Sequence, residues 1–242
     1  MIKSILLPLD PSKYTEIACD FAIMLGKLYN AEITGLVVLD IPGIKARTGP
    51  LPPGVGYYAK ELEHTKIDMA KVHIRNILSK YRNKVEEAGL VFKEANAQGS
   101  PSEQISEFAK FYDIVIAGLR NKYRFETNED AENSIDDVLQ SSITPIFAVP
   151  EDKSRFDNKD IYKVIVAYND SNSSIRALKR FAQIEMPKNL DVTVFISTED
   201  KEEARGLYEQ AKGFLNSHGI TKVDSIITSK NKIEFFMGEV LE

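Results

Sequence analysis

The chain has 242 residues, 43% of them apolar and 28% charged, with a formal net charge of −5 at pH 7. That balance supports a buried core in one or two domains and sets aside wholesale disorder; the mildly acidic surface argues against general nucleic-acid or membrane-surface binding, both of which call for a basic patch. The single cysteine, Cys19, excludes an internal disulfide and a cysteine metal cluster, and no apolar run approaches the ~18–20 residues of a membrane-crossing helix, so a reducing cytoplasm is the expected location.

In chain order, Ser4–Leu9 is almost continuously apolar, as in a strand buried on both faces of a parallel sheet. Asp10-Pro11-Ser12 follows as a turn, with Asp10 or Ser12 suited to cap a helix carrying Ile17, Phe21, Leu25 and Leu28 at helical spacing. Ile33–Leu39 reads as a second strand, and residues 43–58, rich in Gly and Pro, as a loop insert that includes the Tyr57-Tyr58 pair. A long helix from Glu61 to Ala88 is expected to end at Gly89, and Val91–Ala97 to be a third strand. Gly99-Ser100-Pro101 leads into a helix with Ile105, Phe108 and Ala109. Asp113–Ala117 is a fourth strand; Gly118 opens a long polar loop; Ser134–Leu139 is a helix and Pro145–Val149 a fifth strand. Strands alternating with helices predict a doubly wound α/β fold with a five-stranded parallel sheet.

Residues 151–161 are polar and read as a linker between a first domain, 1–150, and a second, 162–242. The second domain repeats the first: residues 3–10 align with 163–170 at an offset of 160, which pairs Asp10 with Asp170 and Phe21-Ala22 with Phe181-Ala182. Beyond the insert the offset falls to 130, matching Gly89 with Gly219 and Val91–Ala97 with Thr221–Ile227. Carried to the end, it sets Glu242 against Tyr112, so the second copy is expected to be incomplete. Two readings of that stay open: a truncated product, or a shortened module whose open sheet edge a partner covers.

Pro8-Leu9-Asp10 after the first strand, Gly99-Ser100-Pro101, Asp113–Gly118 and Thr144–Pro150 together resemble the universal stress protein family, over residues 1–150 and again, incompletely, over 162–242. The resemblance implies strand order 3-2-1-4-5, a regulatory or protective role in stress responses rather than efficient catalysis, and, in one branch, ATP binding. It implies nucleotide contacts from Pro8, Asp10, Val38, Ala117, Gly118, Arg120, Asn121 and Asn133. It further implies subunit pairing through fifth strands, here a homodimer through Pro145–Val149.

The loop after the fourth strand departs from that branch's G-x-x-G-x9-G-[ST] pattern. Glycines there would turn with positive φ and bring N–H groups to phosphates, aided by a helix N-terminus. Gly118 is present, but Asn121 replaces the second glycine and Ala131 or Glu132 the third, among Glu126, Glu129, Asp130, Asp136 and Asp137. A carboxylate ~4 Å from a phosphate charge costs about 1 kcal/mol in water and about 4 at an effective dielectric of 20. Arg120, Lys122 and Arg124 would offset part of that. No cofactor is therefore expected, with ATP as the alternative, and a solvated loop drifted from the binding pattern is the plain reading.

Other constellations fail. His64 and His73 fall on opposite faces of one expected helix, and no His, Cys and carboxylate set has metal-ligand spacing. Neither G-x-S-x-G nor G-x-x-x-x-G-K-[ST] occurs. Cys19 reads as a buried structural thiol. The expected function is a non-enzymatic module acting through an unidentified regulatory protein partner; the alternatives are an adenine-nucleotide switch and, lacking H-x-G-H and S-G-G-x-D-S, an enzyme on a related fold.

Overall fold

The computed structural model describes residues 2–48, 56–119, 123, 125, 138, 142–150, 162–184 and 189–229. They belong to two compact units, one within Ile2–Ser154 and one within Arg155–Glu242. The first contains β1 (Ser4–Pro8), α1 (Lys13–Tyr29), β2 (Glu32–Leu39), α2 (Ile41–Thr48), α3 (Gly56–Glu87), β3 (Phe92–Gln98), α4 (Pro101–Ala109), β4 (Ile114–Gly118) and β5 (Ile146–Val149). Its strands are all parallel in the order β3-β2-β1-β4-β5, the order expected above. The expected helix 134–139 lies outside the described residues except for Val138, which is helical and buried.

Past Ser4, β1 is apolar because helices cover both faces of the sheet: Ile5, Leu6 and Leu7 are each fully buried. At its start Asp113 ties β1 to β4, one carboxylate oxygen accepting from Lys3 N (2.8 Å), Ser4 N (3.0 Å) and the Ser4 hydroxyl (3.2 Å). α1 turns Ala18, Phe21, Ala22, Leu25 and Tyr29 inward, whereas Leu28, expected on that face, is 56% exposed. Cys19 is buried on the same face as Ala22, and burial pushes its thiol up to about 12.

The insert is not all loop. Asp40 accepts from Gly43 N (2.8 Å) and so caps α2, where Pro42 sits in the first turn, which has no use for its missing N–H. α3 begins at Gly56, five residues before the expected start, and takes Tyr57 and Tyr58 into its first turn. It ends as expected: Gly89 takes φ +81°, and Leu90 N reaches back to Val85 O (3.2 Å).

The second unit contains β6 (Tyr162–Ala167), α5 (Asn172–Gln183), β7 (Leu190–Ser197), α6 (Lys201–Ser217) and β8 (Val223–Thr228), its strands parallel in the order β6-β7-β8. It ends α6 in the same way, with Gly219 at φ +82° and Ile220 N on Leu215 O (3.1 Å). Matching elements of the two units lie one residue away from the expected offset. Pro8 pairs with Leu36 and Ala167 with Phe195; Ser12 and Ser171 are the helix N-caps; each of these equivalences is 159 residues, not 160. The strand β8 is likewise shifted: Ile33 N bonds Val91 O where Val192 N bonds Lys222 O, 131 apart rather than 130. The reason is that β1, buried on both faces, accepts an apolar residue at every position and cannot discriminate between registers. In β6 the faces differ, Val166 being buried and Ile165 39% exposed, and a slip of one would exchange them.

Candidate functional site

In a sheet of this order ligands bind outside the carboxyl ends of the strands, where the order reverses, here between β1 and β4. Pro8 ends β1, Val38 lies one residue before the end of β2, and Ala117 and Gly118 end β4. All are buried, and β1 pairs with both β2 and β4, so these positions line one end of three adjacent strands. Arg120, Asn121 and Asn133 lie outside the described residues.

Asp10 stands at the centre of this end and is 1% exposed. One of its oxygens accepts from Ser12 N (3.1 Å), the Ser12 hydroxyl (2.6 Å) and the Thr15 hydroxyl; the other accepts from Tyr123 N (3.3 Å). Its own N–H donates to Thr15 Oγ1 (3.2 Å). The carboxylate thus organises the turn into α1 rather than capping it directly: Ser12 is the N-cap residue, but its hydroxyl points to Asp10. The remaining bond runs across to the loop after β4.

That loop carries two residues the sequence reading passed over. Tyr123, with φ +40° and 2% exposure, belongs to one apolar cluster with Leu6, Leu36, Val38, Ile105 and Val115. Phe125 is 1% exposed, and its carbonyl accepts a 2.6 Å hydrogen bond from His73 Nδ1 on α3, which must therefore carry the proton. Two aromatics spaced by one residue in an otherwise charged loop were the available signal: apolar islands in such a loop seek burial. His64, nine residues before, is exposed.

The second unit repeats the turn with different chemistry. Asn169 accepts from Ser171 N (3.3 Å) and the Ser171 hydroxyl (2.7 Å), and its N–H donates to Ser174 Oγ (3.4 Å). Asn169 therefore holds the place of Asp10. Asp170, assigned that place by sequence identity, is exposed at φ +56°, a conformation Asp tolerates better than most residues, and accepts from the Tyr168 hydroxyl (3.1 Å). Burial first, then that bond to Asp170, raise the Tyr168 phenol above its ordinary value. Among the described residues no group of three or more His, Cys, Asp or Glu is arranged to hold a metal, and no helix is long and apolar enough to cross a membrane.

Comparison with known proteins agrees with this architecture. A universal stress protein from Archaeoglobus fulgidus DSM 4304 superposes with a TM-score of 0.61 at 20% identity, covering 94% of this chain and 77% of its own. Universal stress protein UspA from Lactobacillus plantarum gives 0.47 at 18% identity over 61% of this chain and 97% of its own. The hypothetical protein MJ0577 gives 0.46 at 26% identity over 62% and 96%. A search of curated proteins returned no match. The model of the universal stress protein family matches residues 1–144, and the chain belongs to that family.

Proposed function

We propose that the chain is a regulatory or protective module of the stress response that works through protein contacts, with its ancestral nucleotide crevice filled by its own Tyr123. The observation that supports this reading is the state of Asp10: buried, both oxygens engaged, one of them by the backbone of the residue whose ring packs with Val38. A nucleotide base would have to displace that ring and break that bond. The reading assigns the chain no catalytic step and no resident cofactor, and it takes β5, one of the sheet's two edge strands, as the seam of a homodimer. β5 is held firmly enough to serve, since Phe147 stacks on Phe21 with ring centroids 4.7 Å apart. A monomer in light scattering at micromolar concentration would remove the dimer from the proposal.

An adenine-nucleotide switch is the second reading. What favours it is that Asp10, Val38 and Gly118 do share the carboxyl end of adjacent strands, so a loop able to swing away would leave a crevice of the required kind. Calorimetric titration of the full chain with Mg-ATP separates the two. No saturable heat up to millimolar ATP is expected. Micromolar binding that disappears in Asp10→Ala would install the switch instead.

A further inference from the structure

On the face of the first sheet opposite the Tyr123 cluster lies a groove of about 390 Å³, between α3 and the ends of β2 and β3. Strand alternation builds one wall: Val37 pairs with Asn96 and Leu39 with Gln98, and all four project to this face. Helical spacing builds the other, because Lys71, Ile74 and Arg75 stand at i, i+3 and i+4. Val37, Leu39 and Ile74 are 1%, 6% and 8% exposed and make an apolar floor.

We propose that this groove binds a small organic monoanion, a carboxylate carried on an apolar arm. Apart from Lys71, the polar residues around the floor are uncommitted among the described residues. Among the described residues, Arg75 has no hydrogen-bond or ion-pair partner, and neither do the side-chain amides of Asn96 and Gln98. Farther along the same helix, by contrast, Lys80, Arg82 and Lys84 are each paired with a carboxylate. Lys71 is shared with Asp68 at 3.2 Å, so among the described residues the groove's excess is about one positive charge, which suits a single negative head. The Arg75 fork matches a carboxylate in two parallel bonds, the amides of Asn96 and Gln98 supply further donors, and the floor takes the arm. The volume falls within the range of small-ligand sites, ~300–1,000 Å³.

The test is a titration of the full 15N-labelled chain with octanoate, followed by amide shifts, with 1-octanol as the uncharged comparison. Saturable shifts confined to residues 37–39, 71–75 and 96–98 are expected. Arg75→Gln, which keeps one donor and removes the charge and the second bond, should weaken octanoate about tenfold, the worth of one charge-assisted hydrogen bond, and 1-octanol should bind about as weakly as that variant binds octanoate. Arg75 is exposed, so the variant should fold; Gln98→Leu, which extends the floor and removes a donor, should also weaken octanoate while leaving 1-octanol no weaker. No saturable shift at these residues, equal affinity for octanoate and 1-octanol, or an Arg75→Gln affinity matching the parent would overturn the proposal.

Discussion

Replacing Tyr123 with alanine should destabilise the first unit by about 3–5 kcal/mol, the usual consequence of deleting a fully buried aromatic ring. The magnitude follows from its place: the ring is 2% exposed and packs with Leu6, Leu36, Val38, Ile105 and Val115. A tyrosine on a solvated loop would change stability by no more than about 0.5 kcal/mol. The backbone adds a second, sharper expectation. At φ +40° a side chain costs roughly 1–2 kcal/mol that glycine avoids, whereas glycine's extra unfolded-state entropy costs only about 0.5–1. Tyr123→Gly should therefore be the more stable of the two variants, reversing the order found at most positions. Urea unfolding of the full chain by circular dichroism measures both, and hydrogen exchange of the β1 and β2 peptides assigns the transition to the first unit. An unchanged midpoint for Tyr123→Ala, or glycine falling below alanine, would refute the packing of this loop and with it the filled crevice.

Three other perturbations have defined outcomes. Thr34 is 3% exposed and its hydroxyl has no hydrogen-bond partner among the described residues, so Thr34→Val should stabilise by about 1 kcal/mol, seen as a higher urea midpoint. The Asp113 carboxyl is opposed by burial, but its bonds from the Lys3 and Ser4 backbone outweigh that and hold it below the ordinary value. A depressed carboxylate stabilises above its unfolded pKa of about 3.9 and ceases to as pH falls through the folded value. Asp113→Ala should thus lose about 1 kcal/mol at pH 7, discounted for the group's exposure, and the gap to the parent should close on acidification below about pH 4. Cys19, with its thiol pushed up to about 12, should react with an aromatic disulfide at pH 8 far more slowly than a free cysteine, and at the ordinary rate once urea unfolds the chain.

The fold was legible where two independent signals coincided. Apolar runs located four of the five strands of the first sheet, β3 being the mixed segment FKEANAQ, and Gly89 and the Gly99-Ser100-Pro101 turn marked boundaries that suit glycine, or a proline in a helix's first turn. Reading failed where one signal stood alone. Gly and Pro content suggested a loop after β2, but Asp40 and Pro42 start a helix there as readily as they would end one. Residue identity placed Asp170 opposite Asp10 because the match of letters ignores which face of a strand each letter occupies. At the candidate site Pro8, Asp10 and Val38 were named only through the resemblance to a family, whereas Tyr123 and Phe125 were not named at all, since burial of a loop aromatic depends on where the chain returns after β4, a tertiary outcome with no local period.

The pairing of Asp10 with Asn169 makes the molecule its own control experiment. Both side chains draw in the N–H and hydroxyl two residues ahead, and both residues donate a backbone N–H to the hydroxyl five ahead, so the turn itself runs on a neutral amide as well as on a carboxylate. The negative charge of Asp10 is therefore surplus to the turn. What the second oxygen does in the first unit is reach another part of the chain, at Tyr123 N. A residue type that looks like a relic of ligand recognition has a present occupation: it fastens a loop, and in the second unit, where Asn169 is exposed, uncharged chemistry suffices.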